Sequence, residues 1–395
     1  MHRVPVAVRD DWKETAREHG FSFHSPESMP YWDESAFYRF TMRQIEDDLE
    51  APAEEIEQMC FAAVERAVGD GGILRRLAIP EPFWAAVAES WQRKDRNLYG
   101  RLDFSYDGRA PAKLLEYNAD TPTTLYESAI FQWNWLEQAM ERGLIPAGCD
   151  QFNSLHERLV DALARFGIEG PLHLACARGS DEDKGTVEYI EDCARQAGLE
   201  TRFLHMEDIG VDSHGRFTDL DDDTITTLFK LYPWEWIMAE DFGRYVPSSG
   251  ARFIEPAWKA IVSNKGILAL LWDMFEGHPN LLPTYFTDDA RAATLGGTYV
   301  RKPLLSREGR NIAIVTNGVN RGGMEGDPGV AEADGPYGAE GYVVQAFHPL
   351  AEFDGYRPML GCWLVASQAA GLGIREDRGL ITTNDARFIP HVILD

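Results

Sequence analysis

The chain has 395 residues, of which 44% are hydrophobic, and this is enough for two or three folding units with a substantial core. Acidic residues outnumber basic residues by 64 to 38, which gives a formal net charge of −26 and argues against a nucleic-acid partner, because no basic surplus exists to displace counterions. The charge is compatible with a cationic substrate, although acidic solubility is the simpler explanation.

The five cysteines are widely spaced and show no CxxC or Cys/His ligand spacing. Neither a zinc site nor a disulfide framework is therefore expected. The N-terminus becomes charged at once and has no apolar signal core, and no run approaches the ~20 apolar residues that a membrane helix needs. These features predict a cytoplasmic protein with no membrane partner.

Residues 9–98 have a mostly helical pattern. Apolar residues recur at helical spacing over 34–68, with a break expected at Pro52, and again over 82–93. We therefore expect a helical N-terminal part.

A hairpin pattern follows this helical part. Arg101 and Asp103 alternate along one face of a predicted strand, an Asp-Gly pair suits the turn, and Glu116 and Asn118 share one face of the returning strand. One hairpin thus brings together a cation, two carboxylates and an amide oxygen. Such oxygen ligands suit Mg²⁺, which usually shares its shell with phosphates and water. A polar, solvated strand face is the alternative interpretation.

An amphipathic helix is predicted over 125–142. It follows Asp120-Thr-Pro, so that free backbone N–H groups at its start would suit an anionic group. An ordinary N-cap with Pro inside the first turn explains the same residues equally well.

Residues 150–246 change to an α/β pattern, in which strands that alternate with helices imply a mostly parallel sheet. The predicted helices are 152–166 and 186–197, and the predicted strands are 171–177, 201–205 and 224–231.

Two loops of this part contain candidate substrate residues. The acidic run Asp181 to Asp183 follows the first strand, where it can bind an ammonium group or simply cap a helix N-terminus. The segment 232–236 follows the third strand and surrounds one Glu with aromatic residues. It can line a cleft or belong to the core, and we favour a role behind the substrate contacts.

The segment 298–314 predicts a flap over phosphates. A strand ends in Lys302-Pro303, a short Gly-containing loop follows, and a second strand returns. Lys302 would lie along the phosphates while loop N–H groups face the γ-phosphate. On these residues alone an ordinary surface hairpin with a solvated lysine is the preferred interpretation, and no GxxxxGK[ST] motif is present.

The remaining sequence continues with strands. Residues 318–341 are Gly-rich and acidic and predict a surface excursion, whereas 342–348 predict a strand that enters a connection or lies at a sheet edge. A further hairpin is predicted over 359–366 and 369–376, and residues 380–395 are expected to complete the sheet.

Several of these segments resemble one family. Arg101-Leu-Asp103 and Glu116-Tyr-Asn118-Ala-Asp120, followed by Thr-Pro-Thr, are similar to the synthetase region of the glutathionylspermidine synthase family. The resemblance extends over about 12–389 and is closest to stand-alone members that are described as acid–amine ligases. It implies an α/β, circularly permuted ATP-grasp fold that joins a carboxylate to an amine at the expense of ATP.

The resemblance also implies sites for ATP and Mg²⁺. It implies magnesium ligation by Asp103, Glu116 and Asn118, and catalytic roles for Arg101 and Arg375 near the reacting phosphate. The positions that it implies for ATP binding are Arg101, Asp103, Lys265, Lys302, Glu308, Gly309, Gln345, Ala346, Phe347, His348, Ile374 and Arg375. The positions that it implies for substrates are Thr121, Thr123, Glu182 and Asp183.

The function that follows is an ATP-dependent carboxylate–amine ligase that proceeds through an acyl phosphate. A nucleotide-binding sensor or scaffold, or a kinase or carboxylase on the same fold, are the alternatives. The partners would be a small-molecule acid or peptide and an amine, and a homodimer is left open. Thr121 and Thr123 replace serines that bifunctional members use near glutathione, so neither glutathione nor a polyamine is assigned.

The expected organisation has three parts. Residues 1–98 form the mostly helical part, 99–250 form the metal-binding hairpin with an α/β substrate part that precedes the ATP-grasp region, and 251–395 bind the nucleotide. The amidase domain of bifunctional members is not expected.

Overall fold

The computed structural model describes residues 1–25, 31–307, 309–320, 337–383 and 386–394. The α-helices are α1 (Trp12–Glu18), α2 (Met42–Ile45), α3 (Ala51–Val68), α4 (Gly71–Arg76), α5 (Trp84–Gln92), α6 (Gln132–Glu141), α7 (Leu155–Ala164), α8 (Asp181–Gln196), α9 (Trp234–Ala239), α10 (Lys259–Val262) and α11 (Ile267–Met274). Shorter turns of π-helix lie at Glu46–Glu50 and Glu127–Phe131.

The strands of the described residues are β1 (His2–Pro5), β2 (Ala36–Phe40), β3 (Tyr99–Ser105), β4 (Lys113–Asn118), β5 (Leu172–Cys176), β6 (Thr201–His205), β7 (Gly210–Val211), β8 (Phe217–Thr218), β9 (Thr227–Leu231), β10 (Arg252–Ile254), β11 (Thr284–Phe286), β12 (Thr298–Pro303), β13 (Ala313–Thr316), β14 (Val319–Asn320), β15 (Tyr342–Ala346), β16 (Arg357–Val365), β17 (Gln368–Asp377), β18 (Arg387–Ile389) and β19 (His391–Ile393). The fold is therefore mixed α/β, as predicted.

The N-terminal part is mostly helical, but two of its predicted features are wrong. Residues 36–40, predicted as helix, form strand β2, because β2 pairs with β1 on one side and with β19 on the other. The helix also continues through Pro52 instead of breaking there. Pro52 lies in the first turn of α3, directly after the π-helical turn, where a widened backbone accommodates a residue without an N–H.

The central sheet is parallel and has the order β10-β9-β5-β6, which confirms the prediction from strand–helix alternation. α8 begins at residue 181, earlier than the predicted 186, because the Ser180 hydroxyl caps it by accepting the N–H of Asp183 at 3.1 Å. The acidic run thus occupies the first helical turn rather than a free loop. Negative charge is favourable there.

The predicted hairpin β3–β4 belongs to a five-stranded sheet with the order β18-β17-β16-β3-β4. Arg101 pairs with Asn118 and Asp103 pairs with Glu116, so the four side chains share one face as predicted. On its other edge β3 pairs with β16, which comes from the C-terminal end of the chain. This pairing brings Arg375 on β17 to the hairpin.

The third large sheet is antiparallel, with the order β11-β15-β12-β13-β14. β12 and β13 pair as the predicted flap strands. The edge-strand alternative for 342–348 is wrong, because β15 pairs with both β11 and β12. Most of the Gly-rich stretch, 321–336, lies outside the described residues.

Hydrophobic clusters connect these layers. The largest one extends from α3 through α11 to strands of the two five-stranded sheets, which are both antiparallel. A second cluster packs α7 and α8 against the parallel sheet. Among the described residues, none of the helices combines the length and the apolar character that crossing a membrane requires.

We expect Gly361→Ala to destabilise the fold around the hairpin. Gly361 on β16 faces Asp103, and a Cβ there would lie 2.6 Å from Cδ and 3.0 Å from Nε of Arg101. Arg101 would have to move away, which should lower the free energy of unfolding by about 1–3 kcal/mol in urea titrations. Gly69→Ala is the matched control, since its nearest contact would be 3.7 Å. Equal stability of both variants would contradict the close approach.

Candidate active site

One cavity of about 510 Å³ lies where the two antiparallel sheets meet the carboxyl ends of the parallel strands. Sixteen of the residues predicted for the site line it, namely Arg101, Asp103, Glu116, Asn118, Thr121, Thr123, Glu182, Asp183, Lys265, Lys302, Gly309, Gln345, Ala346, Phe347, His348 and Arg375. Ile374 does not, because alternation along β17 turns its side chain into the core, away from Arg375. Glu308 lies outside the described residues.

The face of the hairpin holds a chain of charged hydrogen bonds. Arg101 donates to both oxygens of Asp103, from Nε at 2.7 Å and from Nη2 at 3.0 Å. The Asn118 amide donates to Asp103 at 2.9 Å and to Glu116 at 3.2 Å. Burial raises the pKa of the Asp103 carboxyl even with Arg101 beside it. The carboxylates therefore lie close together on a buried surface.

Two lysines face the hairpin from the sequence beyond residue 250. Lys265 Nζ lies 3.1 Å from Glu116 Oε2, and Lys302 Nζ donates to the carbonyl of Leu115 and to Gln345 Oε1, each at 2.7 Å. Burial would raise the pKa of Glu116, but the two ammonium groups outweigh it and lower that pKa to about 2. Burial lowers the pKa of Lys302 to about 8, against the opposing charge of Glu116.

A metal at this position would need the oxygens of the hairpin. Among the described residues no group of three His, Cys, Asp or Glu side chains has the geometry of a metal site. The set formed by Asp103, Glu116 and Asn118 contains two carboxylates and an amide, which fits a hard cation that completes its shell with phosphate oxygens and water. Asn118 would then direct its Oδ1 toward the ion, since the oxygen and the nitrogen of a side-chain amide exchange places when the amide is rotated.

The loop after β17 holds Arg375 at the cavity. Arg375 Nη2 donates to the carbonyl of Thr383 at 2.8 Å. Asp377 fixes the same loop, because its carboxylate accepts the Thr383 hydroxyl at 3.0 Å and the N–H of Gly379 at 3.1 Å. The guanidinium of Arg375 is thus positioned by the loop that closes this side of the cavity.

The flap between β12 and β13 lies against that loop. Gly309 has φ +71°, and a Cβ on it would approach the carbonyl oxygen of Thr382 to 2.8 Å. Ile312 and Ile381 belong to one small hydrophobic cluster that joins the flap to the loop. The described residues of the flap therefore pack against the loop after β17 beside the cavity.

Two residues on the other side of the flap have contacts with Lys265 and with Trp236. Lys265 Nζ donates to the carbonyl of Ser306 at 2.7 Å. The guanidinium carbon of Arg307 lies 5.8 Å from the centre of the Trp236 ring. Arg307 belongs to the Gly-containing loop of the predicted flap, but its contact with Trp236 depends on tertiary packing that the sequence pattern does not encode.

Acidic side chains from helices of the parallel layer also line the cavity. Glu182 and Asp183 in the first turn of α8 and Glu235 in α9 all line it. Burial raises the pKa of Glu235, although Arg307 opposes this. Burial, followed by the charge of Glu182, also raises the pKa of Glu127 to about 7. The cavity thus combines cationic side chains with carboxylates from several elements of the fold.

The sequence did not decide whether the segment 232–236 lines a cleft or belongs to the core, and its residues do both. Tyr232, Glu235 and Trp236 line the cavity, and Trp236 is 41% exposed. Trp234, between them, is fully buried. We favoured a place behind the substrate contacts, whereas four of the five residues of this segment, Pro233 among them, lie on the cavity wall.

Comparisons with known proteins show which family the chain is similar to. A model of the family described as "Glutathionylspermidine synthase preATP-grasp" matches residues 3–394. The chain is 40% identical over 402 residues to a Haemophilus influenzae protein named "Putative acid–amine ligase", and the match covers 99% of each. It is 30% identical to trypanothione synthetase of Crithidia fasciculata, over 85% of this chain and 53% of that protein.

Two further comparisons concern a longer enzyme and a solved structure. The chain is 25% identical to the bifunctional glutathionylspermidine synthetase/amidase of Escherichia coli, over 92% of this chain and 60% of that enzyme. A glutathione synthetase-like effector of Globodera pallida, in its apo form, superposes with a TM-score of 0.53 and 12% identity over 97% of this chain and 96% of that chain. This likeness indicates a glutathione synthetase-like fold, which is consistent with the ATP-grasp class.

The family match and the sequence motifs lead to the same assignment. The match extends almost from end to end, and the motifs Arg-Leu-Asp and Glu-Tyr-Asn that suggested the family lie on the hairpin that lines the cavity. The chain belongs to the glutathionylspermidine synthase family.

Proposed function

We propose that this family member, an amide-forming acid–amine ligase, binds ATP and Mg²⁺ in the cavity and activates its acid substrate as an acyl phosphate. The observation that carries the proposal is the arrangement of charge. Two carboxylates and an amide of the hairpin lie beside buried lysines, and further acidic side chains line the cavity from α8 and α9. A polyanion with its metal fits the first group of residues, and an amine fits the second.

The nucleotide would lie between the two antiparallel sheets. Val300, Ile314 and Met359 offer apolar walls for a base, and residues 345–348 offer backbone groups beside it. Lys302 and Lys265 would then contact the phosphates as point charges. Lys265 contacts Glu116 and the carbonyl of Ser306, and Lys302 contacts the carbonyl of Leu115, which is next to Glu116 in sequence. This proximity of the two ammonium groups supports the placement.

Mg²⁺ would be held by Asp103, Glu116 and Asn118, and would neutralise phosphate charge when bound. Arg101 is hydrogen-bonded to Asp103, and Arg375 lies on β17 of the same sheet, so both would reach the transferred phosphoryl group. Phosphoryl transfer depends mainly on such positioning and charge neutralisation.

The reaction would proceed in two steps. A carboxylate oxygen of the acid attacks the γ-phosphorus, the bond to the bridging oxygen breaks, and ADP leaves. The amine nitrogen then attacks the acyl carbon, inorganic phosphate leaves, and the amine gives up a proton. An acyl phosphate must be kept from water until the amine arrives, and a flap that packs against the loop after β17 beside the cavity supports such shielding.

Substrate contacts are proposed on both sides of this centre. Thr121 and Thr123, beside the hairpin, would bind the acid, whereas Glu182 and Asp183 would bind the ammonium group of the amine. We also propose that the ATP-grasp fold is circularly permuted. The hairpin with the metal-type ligands precedes the lysine-bearing elements in sequence but pairs with β16 near the C-terminal end, as a rearranged chain order requires.

The test of the function is a screen for ADP release in which acids and peptides are crossed with amines, followed by mass spectrometry of the product. Release that requires both an acid and an amine, with a product whose mass equals the sum of both minus water, is the expected result. Release that needs only one of them would favour a kinase, and binding of ATP without release would favour a sensor.

We expect Glu116→Gln to lower the rate of ADP release at least about tenfold, which is about 1.4 kcal/mol of barrier. The change removes a charge that the proposed metal needs and that balances Lys265 and Lys302. The measurement is turnover as a function of magnesium concentration. Glu137→Gln is the control, since Glu137 is exposed on α6 and outside the cavity. A parental rate with unchanged magnesium dependence in Glu116→Gln would contradict the metal assignment.

We expect nucleotide affinity to fall as pH rises above about 8, where Lys302 of the free protein loses its proton. Phosphate charge favours the ammonium form, so nucleotide binding should raise the pKa of Lys302 and take up a proton at mildly alkaline pH. Calorimetry in two buffers with different ionisation enthalpies counts that proton. Lys302→Met should bind nucleotide more weakly and without the uptake. An affinity that stays constant across this range would contradict the placement.

A further inference from the structure

We infer that the buried ion pair between Asp120 and Lys230 positions the loop 119–124, and through it the groups that receive the acid substrate. The inference rests on the proposed function, since Thr121 and Thr123 are the proposed acid contacts. It assigns a role to two residues that touch neither nucleotide nor metal ligands in the proposal. Asp120 and Lys230 are thus positioning residues.

The ion pair connects the end of β4 to the end of β9. Lys230 Nζ lies 2.6 Å from Asp120 Oδ1 and donates to the carbonyl of Tyr232 at 2.9 Å. The second oxygen of Asp120 accepts the N–H of Trp234 at 2.8 Å. The side chains are 0% and 3% exposed for Lys230 and Asp120, so the pair is shielded from water. The two oxygens of Asp120 therefore contact the end of β9 and the start of α9.

The other end of the loop is held by Arg101. Its Nη1 donates to the carbonyl of Thr123 at 2.6 Å and to the Thr124 hydroxyl at 3.2 Å. The loop is thus fixed at its start by Asp120 and at its end by the arginine that also pairs with Asp103. Side-chain hydrogen bonds and the ion pair therefore fix the loop 119–124, the hairpin face and the segment 232–236 relative to one another.

The backbone of the loop shows that it needs this support. Thr124 has φ +70°, which is an unfavourable conformation for a β-branched residue. Such a conformation persists only where the surrounding structure over-determines it, and it is common at ligand sites. Contacts at both ends of the loop supply that constraint.

The loop also presents an unused polar group. The Thr121 hydroxyl is buried and has no hydrogen-bond partner among the described residues, and Thr121 lines the cavity. Buried hydroxyls nearly always have a partner, so this oxygen is suited to a polar atom of a ligand. A carboxylate or peptide group of the acid has the required chemistry.

A purely structural role would not require an ion pair here. Removing two charges from water is costly, and an apolar pair of similar size often gives equal stability. Burial lowers the pKa of Lys230, even though the charge of Asp120 opposes this shift. The pair also lies at the carboxyl end of a parallel strand, which is where such sheets bind ligands.

The decisive variant is the double substitution Asp120→Asn with Lys230→Met. The amide oxygen introduced by Asp120→Asn can still accept the N–H of Trp234, and no unpaired charge is left in the interior, so the double variant should fold even if Asp120→Asn alone does not. Glu34→Gln is the matched control. Its ion pair with Arg9 is equally buried, at 0% and 1% exposure and 2.8 Å, but lies outside the cavity.

Two readouts test the inference. With the acid found in the ADP-release screen, the apparent KM for the acid should rise at least about tenfold in the double variant, while the nucleotide Kd from calorimetry changes less than about threefold. Independently of activity, hydrogen exchange of the loop 119–124 without ligand should be faster in the double variant. Glu34→Gln should change neither quantity, whatever it does to the melting temperature.

The outcomes separate the inference from the function on which it rests. If the parent protein releases no ADP with any acid and amine, the proposed function fails, and the exchange measurement still decides whether the pair holds the loop. If the parent is active but the double variant keeps the parental KM for the acid, or if Glu34→Gln shows the same rise, the positioning role is overturned.

Discussion

The pairing of β3 with β16 is the constraint on which the candidate site depends. It joins the hairpin that carries Arg101 and Asp103 to strands from the C-terminal end of the chain. Since β17 follows β16 in the same sheet, Arg375 reaches the cavity from the far side of that pairing. A glycine at 361 makes the close approach possible, because the Arg101 side chain lies across it. Residues far apart in sequence thereby face one volume.

Balance of buried charge is the second principle of the site. Glu116 lies between Lys265 and Lys302, and Asp103 is held by Arg101, so each carboxylate of the hairpin has a cationic partner. Charges in a protein interior require such partners, because desolvation alone would neutralise them. In the proposed complex, phosphates would take over the lysines and a metal would take over the carboxylates. The mutual pairing would thus keep both sets of groups ionised and ready for their ligands.

The distribution of charge among the elements that line the cavity suits the chemistry of the family. An amide-forming ligase must hold an anionic nucleotide and a cationic amine near one acyl carbon without letting them pair directly. Here Lys302 belongs to an antiparallel sheet and Lys265 to the connection between α10 and α11, whereas Glu182, Asp183 and Glu235 belong to helices of the parallel layer. The loop 119–124 lies between these two layers, tied to both. These lysines and these acidic groups therefore come from different parts of the fold, as the two binding tasks of the proposed reaction would require.

Local pattern predicted much of this molecule, and long-range pairing decided the rest. Alternation with a period of two placed Asp103 and Glu116 on one face, and the alternation of strands with helices indicated the parallel sheet, since both signals depend only on neighbouring residues. The same alternation turns Ile374 away from the cavity that Arg375 enters. Strand β2 was missed because its partners are β1 and β19, which lie outside any local window. The bond between Asp120 and Lys230 likewise exists only once β4 and β9 have been brought together, because a buried charge reveals its partner in space and not in sequence.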